Sequence, residues 1–201
     1  QILVPFSPES ALSGVSRQLM PDETLWYLRS LPAGRPTGNR RLLLHFGAAD
    51  QRAQVFINRK EAGSHMGGYL PFTLDITKLM SDEENELLVK ITDVSNTSWH
   101  SRGKQSLKPG GMFYTAQSGL WQTVWAETVP AHYVKRLLFT PDFDHSRMRM
   151  RVVSSASRPF TCTVTGDGIA PVSFSGTTNE ELIMELPCFH PWSPEDPFLY
   201  R

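Results

Sequence analysis

The sequence predicts an all-β chain, a β-sandwich followed by part of a second one. Short apolar segments alternate with period two, as half-buried strands do. Turn residues separate them at short intervals, as in sandwiches. Fifteen prolines and fourteen glycines, scattered throughout, argue against long helices.

Each strand can be justified in order. Residues 41–46, "RLLLHF", put Leu42, Leu44 and Phe46 on one face. "AQVFIN" groups Val55 with Ile57, and "YLPFTLDIT" turns Phe72, Leu74 and Ile76 inward. "NELLVKIT" does the same with Leu87, Val89 and Ile91. "RMRMRVV" sends Met148, Met150 and Val152 inward and Arg147, Arg149 and Arg151 to water, while "ELIMELP" repeats the pattern with Leu182, Met184 and Leu186. Trp26 reads as core, and Val124 and Trp125 as strand residues. Pro130 ends the apolar strand "GLWQTVWAETV", which sets a boundary between residues 1–131 and 132–201. The second part, about 70 residues, falls short of the ~100 of an immunoglobulin-like sandwich. It stops at "PEDPFLYR", where a strand looks to be just beginning, so this second fold is expected to be incomplete.

The charges limit the partners. Twenty basic and twenty acidic residues cancel, so no electrostatic footprint for nucleic acid or an anionic membrane exists. No apolar run approaches the ~20 residues that span a bilayer. The start, "QILVPFSPES", lacks the basic and apolar regions of a secretion signal. With only two cysteines, Cys162 and Cys188, the expected compartment is a bacterial cytoplasm. The two thiols are read as half-buried structural residues, with a bridge between them left open.

Residues 63–77, "GSHMGGYLPFTLDIT", pose the functional question. His65 and Met66 offer two soft ligands without a third at ligand spacing, so no metal is expected there. The favoured local account gives Gly67 and Gly68 a positive φ or a close backbone approach, with the His65 imidazole tying the loop by a hydrogen bond. Asp75 and Asp93 alone make no calcium site. No cofactor is expected.

These residues resemble glycoside hydrolase family 2, the β-galactosidases, β-glucuronidases and β-mannosidases. The match to the signature of that family's N-terminal sandwich runs through Val55, Phe56, Asn58, Gly63, His65, Gly67, Gly68, Tyr69, Pro71, Phe72, Asp75, Ile76 and Thr77. It departs at Arg59, where a hairpin glycine is usual. "LWYLRSL", "RGKQ" with "MFYTAQSGLWQTVW", and "HPWSPEDPFLY" fit the same family in order. The resemblance implies a galactose-binding-like jelly roll followed by a truncated immunoglobulin-like sandwich. It also implies a retaining mechanism with two glutamates about 5 Å apart, both supplied by a (β/α)8 barrel of the parent enzyme.

The 201 residues themselves are therefore expected to be inactive. "TTNEELI" offers an Asn-Glu pair, but Asn179 and Glu180 read as a solvated turn. The resemblance further implies that a loop of the first sandwich helps shape the barrel's innermost sugar subsite. Its candidates are Trp99, Arg102, Lys104, Gln105, Phe113, Tyr114, Trp121 and Gln122, aromatic faces for a sugar ring and donors for its hydroxyls. Asn58, His65, Gly67, Gly68, Tyr69, Pro71 and Phe72 are structural. Expected partners are the catalytic barrel and carbohydrate, with a homo-oligomer also admitted. Two other roles stay open, a free-standing carbohydrate-binding module and a structural or oligomerisation domain pair.

Overall fold

The computed structural model describes residues 1–186 and 189–201. Its strands are β1 (Leu25–Leu31), β2 (Arg40–Phe46), β3 (Arg52–Ile57), β4 (Lys60–Met66), β5 (Phe72–Asp75), β6 (Asn85–Thr92), β7 (Gln105–Ser106), β8 (Tyr114–Thr115), β9 (Val124–Pro130), β10 (Val134–Asp142), β11 (Arg147–Ser154), β12 (Pro159–Gly166), β13 (Ile169–Thr177) and β14 (Glu181–Glu185). Helical structure among the described residues is limited to short 3-10 turns, so the all-β expectation holds. The chain divides into two compact units, residues 1–129 and 130–201.

In the first unit, one sheet has the order β1-β6-β3-β4 and a second the order β5-β2-β9. Their apolar faces meet in one core that includes Tyr27, Leu44, Phe46, Ala53, Val55, Ile57, Ile76, Leu87, Val89, Ile91 and Leu120. The period-two reading of β3 and β6 is thus correct, because β3 pairs with β6 so that Val55 lies opposite Val89 and Ala53 opposite Ile91. Strand β2 buries Leu43 as well as Leu44 and Phe46.

Trp26 corrects the sequence reading. It is 52% exposed, and Tyr27 is the core residue. The segment "LWYLRSL" is apolar on both parities, so alternation alone could not choose. Pairing with β6 decides, setting Tyr27 opposite Val89 and Trp26 opposite Lys90. The buried Tyr27 hydroxyl accepts the Leu120 N–H at 3.0 Å, which satisfies its polar end.

The β3–β4 turn has two residues, Asn58 and Arg59, with φ of +51° and +65°. Both values suit the tight hairpin that matches strand twist, so Arg59 takes up the conformation a glycine would. Asn58 earns its place through its side chain: it donates to Leu79 O at 3.0 Å and to Asn85 Oδ1 at 2.8 Å, and accepts the Glu86 N–H at 2.9 Å. Asn85 is buried and donates onward to the Pro32, Ser81 and Glu83 carbonyls.

Among its described residues the second unit has the sheets β10-β11-β14 and β12-β13. Met150, Val152 and Met184 form its buried centre, with Met148, Phe160, Cys162, Val164, Phe174 and Leu182 packed against them. The Cys162 thiol is free and half-buried, 3.7 Å from Met184 Sδ. The expectation for Cys188 lies outside the described residues. Asn179 and Glu180 occupy the exposed β13–β14 turn, where Asn179 Oδ1 accepts the Ser154 N–H at 2.9 Å. At "PFLYR" the backbone groups of Arg201 and Thr165 exchange two hydrogen bonds of 2.8 Å, a strand-like pairing along β12.

Candidate functional site

The loop between β4 and β5 is shaped by two glycines in different ways. Gly67 has φ +112° and donates its N–H to Gln51 O at 2.9 Å. Gly68 lies directly against the Asp50 carboxylate: a Cβ there would sit 2.5 Å from Asp50 Oδ1. Positive φ and close approach are therefore split between the pair. The expectation for His65 needs correction. Its Nε2 is buried without a hydrogen-bond partner, and the ring instead stacks on Phe72 at 4.3 Å, with Phe72 stacked on Phe46 at 4.5 Å. Stacked aromatic planes, rather than a hydrogen bond, hold this imidazole. Pro71 is exposed where the chain enters β5.

Above this loop stands Trp121. Its indole N–H donates to Gly68 O at 2.8 Å, and its ring meets the half-exposed Tyr69 edge-on at 6.4 Å. The turn Arg102-Gly103-Lys104 completes the group, since a Cβ on Gly103 would lie 3.9 Å from the Tyr69 hydroxyl. Arg102 is held by a bond from Nη1 to Ser98 O at 3.1 Å. Lys104 is exposed, and its carbonyl accepts the Tyr114 N–H at 2.8 Å.

The remaining candidates divide. Gln105 pairs with Tyr114 across the parallel β7–β8 ladder, and its Oε1 accepts the Gln117 N–H at 2.5 Å. Its amide oxygen thus serves the loop's own fold. Phe113 and Tyr114 are exposed, with Phe113 and Gly110 exchanging backbone bonds of 3.1 and 3.0 Å. Gln122 is exposed at its tip while its Cβ packs on Gly47. Trp99 is wholly exposed and stands apart from the Tyr69–Trp121 group. Val124 and Trp125 lie in β9, where Trp125 stacks on His45 at 4.9 Å. Asp75 is engaged by Arg41 at 2.7 Å and by Thr77.

Sequence reasoning missed the buried acids. Asp50 is 5% exposed, and burial, with Asp93 and then Glu9 nearby, pushes its carboxyl up to about 7. Asp93 is also raised, chiefly by burial, while the Ser95 N–H and His100 counteract. Glu9 caps the approach to β9 by accepting the Ser118 hydroxyl at 2.7 Å and its N–H at 3.1 Å. Asp50 follows two alanines in a segment without alternation, so no local pattern signals a carboxylate at the core.

No protein-family model matches the chain. It is 34% identical over 87 residues to a β-glucuronidase of Paenibacillus borealis, covering 43% of this chain and 13% of that one. It is 23% identical over 193 residues to a β-galactosidase of Thermoanaerobacter pseudethanolicus, covering 88% of this chain and 25% of that one. The solved structure of a Faecalibacterium prausnitzii β-glucuronidase superposes with a TM-score of 0.71 at 23% identity, over 99% of this chain and 38% of that one. The chain thus spans a quarter or less of the curated relatives it matches here. In sequence and in fold, it resembles the sandwich portion of β-glucuronidases and β-galactosidases of glycoside hydrolase family 2.

Proposed function

We propose that this chain is the non-catalytic N-terminal portion of a family 2 glycoside hydrolase, a retaining β-glycosidase of the β-galactosidase or β-glucuronidase kind. In that reading it positions the catalytic barrel and lends one wall to its sugar subsite. The observation that carries it is the Trp121 indole, bonded through its N–H to Gly68 O and set against Tyr69. A ring fixed in this way presents a surface to a sugar with little entropy left to lose on binding. Arg102 and Lys104 stand on the adjacent turn, and their donors suit hydroxyls or a carboxylate.

The test is Trp121→Ala in the intact parent enzyme. The wall role predicts a fall in kcat/KM of roughly ten- to hundredfold, the scale expected from ~1–3 kcal/mol of lost contact, with the barrel still folded. An unchanged kcat/KM would remove Trp121 from the subsite. The 201-residue chain alone should release no chromophore from nitrophenyl galactosides or glucuronides, and any turnover by it would refute the non-catalytic assignment.

A further inference from the structure

The face of the β1-β6-β3-β4 sheet that points away from the core carries a second constellation, independent of the wall role proposed for Trp121. Pairing of β3 with β6 sets Arg52 opposite Thr92 and Gln54 opposite Lys90. Pairing of β3 with β4 sets Arg52 opposite Met66 and Gln54 opposite Ser64. Side chains alternate along a strand, so these six project outward while Ala53, Val55, Val89 and Ile91 fill the core. They line an open concavity of about 560 Å³, within the usual size of small-molecule sites.

Its charge is one-sided. No carboxylate lines the concavity, and neither Arg52 nor Lys90 takes part in an ion pair among the described residues. The two cations are diagonal neighbours on adjacent strands, a spacing of roughly 7–8 Å between backbones. Like charges so placed repel, and an anion between them would relieve that repulsion. Beside them stands an aromatic rim. The Lys90 ammonium lies 5.9 Å from the centre of the half-exposed Trp26 ring, which in turn packs at a tilt on Phe56.

We propose that this concavity binds a saccharide bearing a carboxylate, that is, a uronic acid unit. The planar fork of Arg52 matches a carboxylate in two parallel bonds, and Lys90 adds a point charge. Gln54, Ser64 and Thr92 supply groups that both donate and accept, as sugar hydroxyls require. Trp26 offers an apolar face at the edge for the C–H side of the ring. A bare anion would have no use for that aromatic edge, and a neutral sugar would leave both cations unmatched.

The experiment titrates the 201-residue chain with a short oligogalacturonate, following backbone amide shifts, with the corresponding neutral galactose oligomer and acetate as parallel arms. Binding at roughly millimolar or tighter by the uronate, with shifts at residues 52–54, 64–66 and 90–92, is expected. The neutral oligomer and acetate should each bind much more weakly. Arg52→Met at an exposed strand position and Lys90→Met at a half-buried, outward-facing one should each weaken uronate binding roughly tenfold, the scale of a lost charged hydrogen bond, while their amide spectra stay folded. Trp26→Ala should weaken the oligomer and leave acetate unaffected. Absence of uronate binding, equal binding of the neutral oligomer or of acetate, or full affinity in folded Arg52→Met and Lys90→Met would overturn the proposal.

Discussion

Arg59 holds a left-handed backbone at +65°, which costs an ordinary side chain roughly 1–2 kcal/mol. Its guanidinium is exposed and only 4.0 Å from Glu86, a pairing worth little in water. Arg59→Gly should therefore raise stability by about 0.5–1 kcal/mol, the strain relieved less the flexibility a glycine adds to the unfolded chain. Denaturant midpoints of the two proteins measure it, and a less stable variant would contradict the strain argument. Asp50 makes a second prediction. Its folded carboxyl sits near 7 against an ordinary 3.8. Between those values the folded state keeps a proton that the unfolded state has released, so stability falls as pH rises through the window and levels off above it. The full decline is at most about 4 kcal/mol. Asp50→Asn should flatten it, and an unchanged slope between about pH 4 and pH 7 would show that another group is responsible.

At the scale of elements, several supports converge on the segment that leads into β9. Gly119 exchanges backbone bonds of 2.9 and 2.7 Å with Asp50, and has φ +76°. A Cβ there would lie 2.3 Å from the Tyr27 hydroxyl. Gly119→Ala should thus cost at least ~2 kcal/mol, combining backbone strain with displacement of a buried tyrosine. Thermal unfolding would reveal it, and a near-wild-type melting temperature would mean the turn can rearrange freely. Asp142 gives the second unit the opposite pH response to Asp50. His145 and Arg147 bond its carboxylate at 2.7 and 2.8 Å and push it down to about 2, so its contribution is lost as pH falls from near 4 towards that value.

These elements also show what the sequence made legible. Val55, Ile57, Leu87, Val89 and Ile91 were readable because each strand has polar residues on the other parity. Trp26 was misread because its strand is apolar on both, and only pairing with β6 exposes it. The glycines of the β4–β5 loop were recognisable, yet the reason for Gly68 was not, because Asp50 is distant in sequence. His65 was identified but its support was not, since stacking on Phe72 and Phe46 depends on how two strands from different sheets meet. Of the candidate sugar contacts, Trp121 and the Arg102–Lys104 turn gather around Tyr69, whereas Trp99 stands alone. Long-range placement of loops has no local periodic signature, so residue type could nominate them but not group them.

For the whole molecule, the division of labour follows from what each unit buries. The first closes a continuous core between two sheets and still presents exposed aromatics on its loops and on the outer face of each sheet. The second relies on a smaller, sulfur-rich centre, whose thioethers adapt to irregular gaps. Among the described residues, neither unit has the strand–helix alternation of a barrel.

The three stacked rings of Phe46, Phe72 and His65 carry one more consequence. They come from β2, β5 and β4, so the column crosses from one layer of the first sandwich to the other where β4 and β5 are both outermost. A sheet's border strand is ordinarily a place where another chain can add on. Here the column works as a seam that stitches the two borders together, leaving β1 and β9 as the borders from which the layers can part.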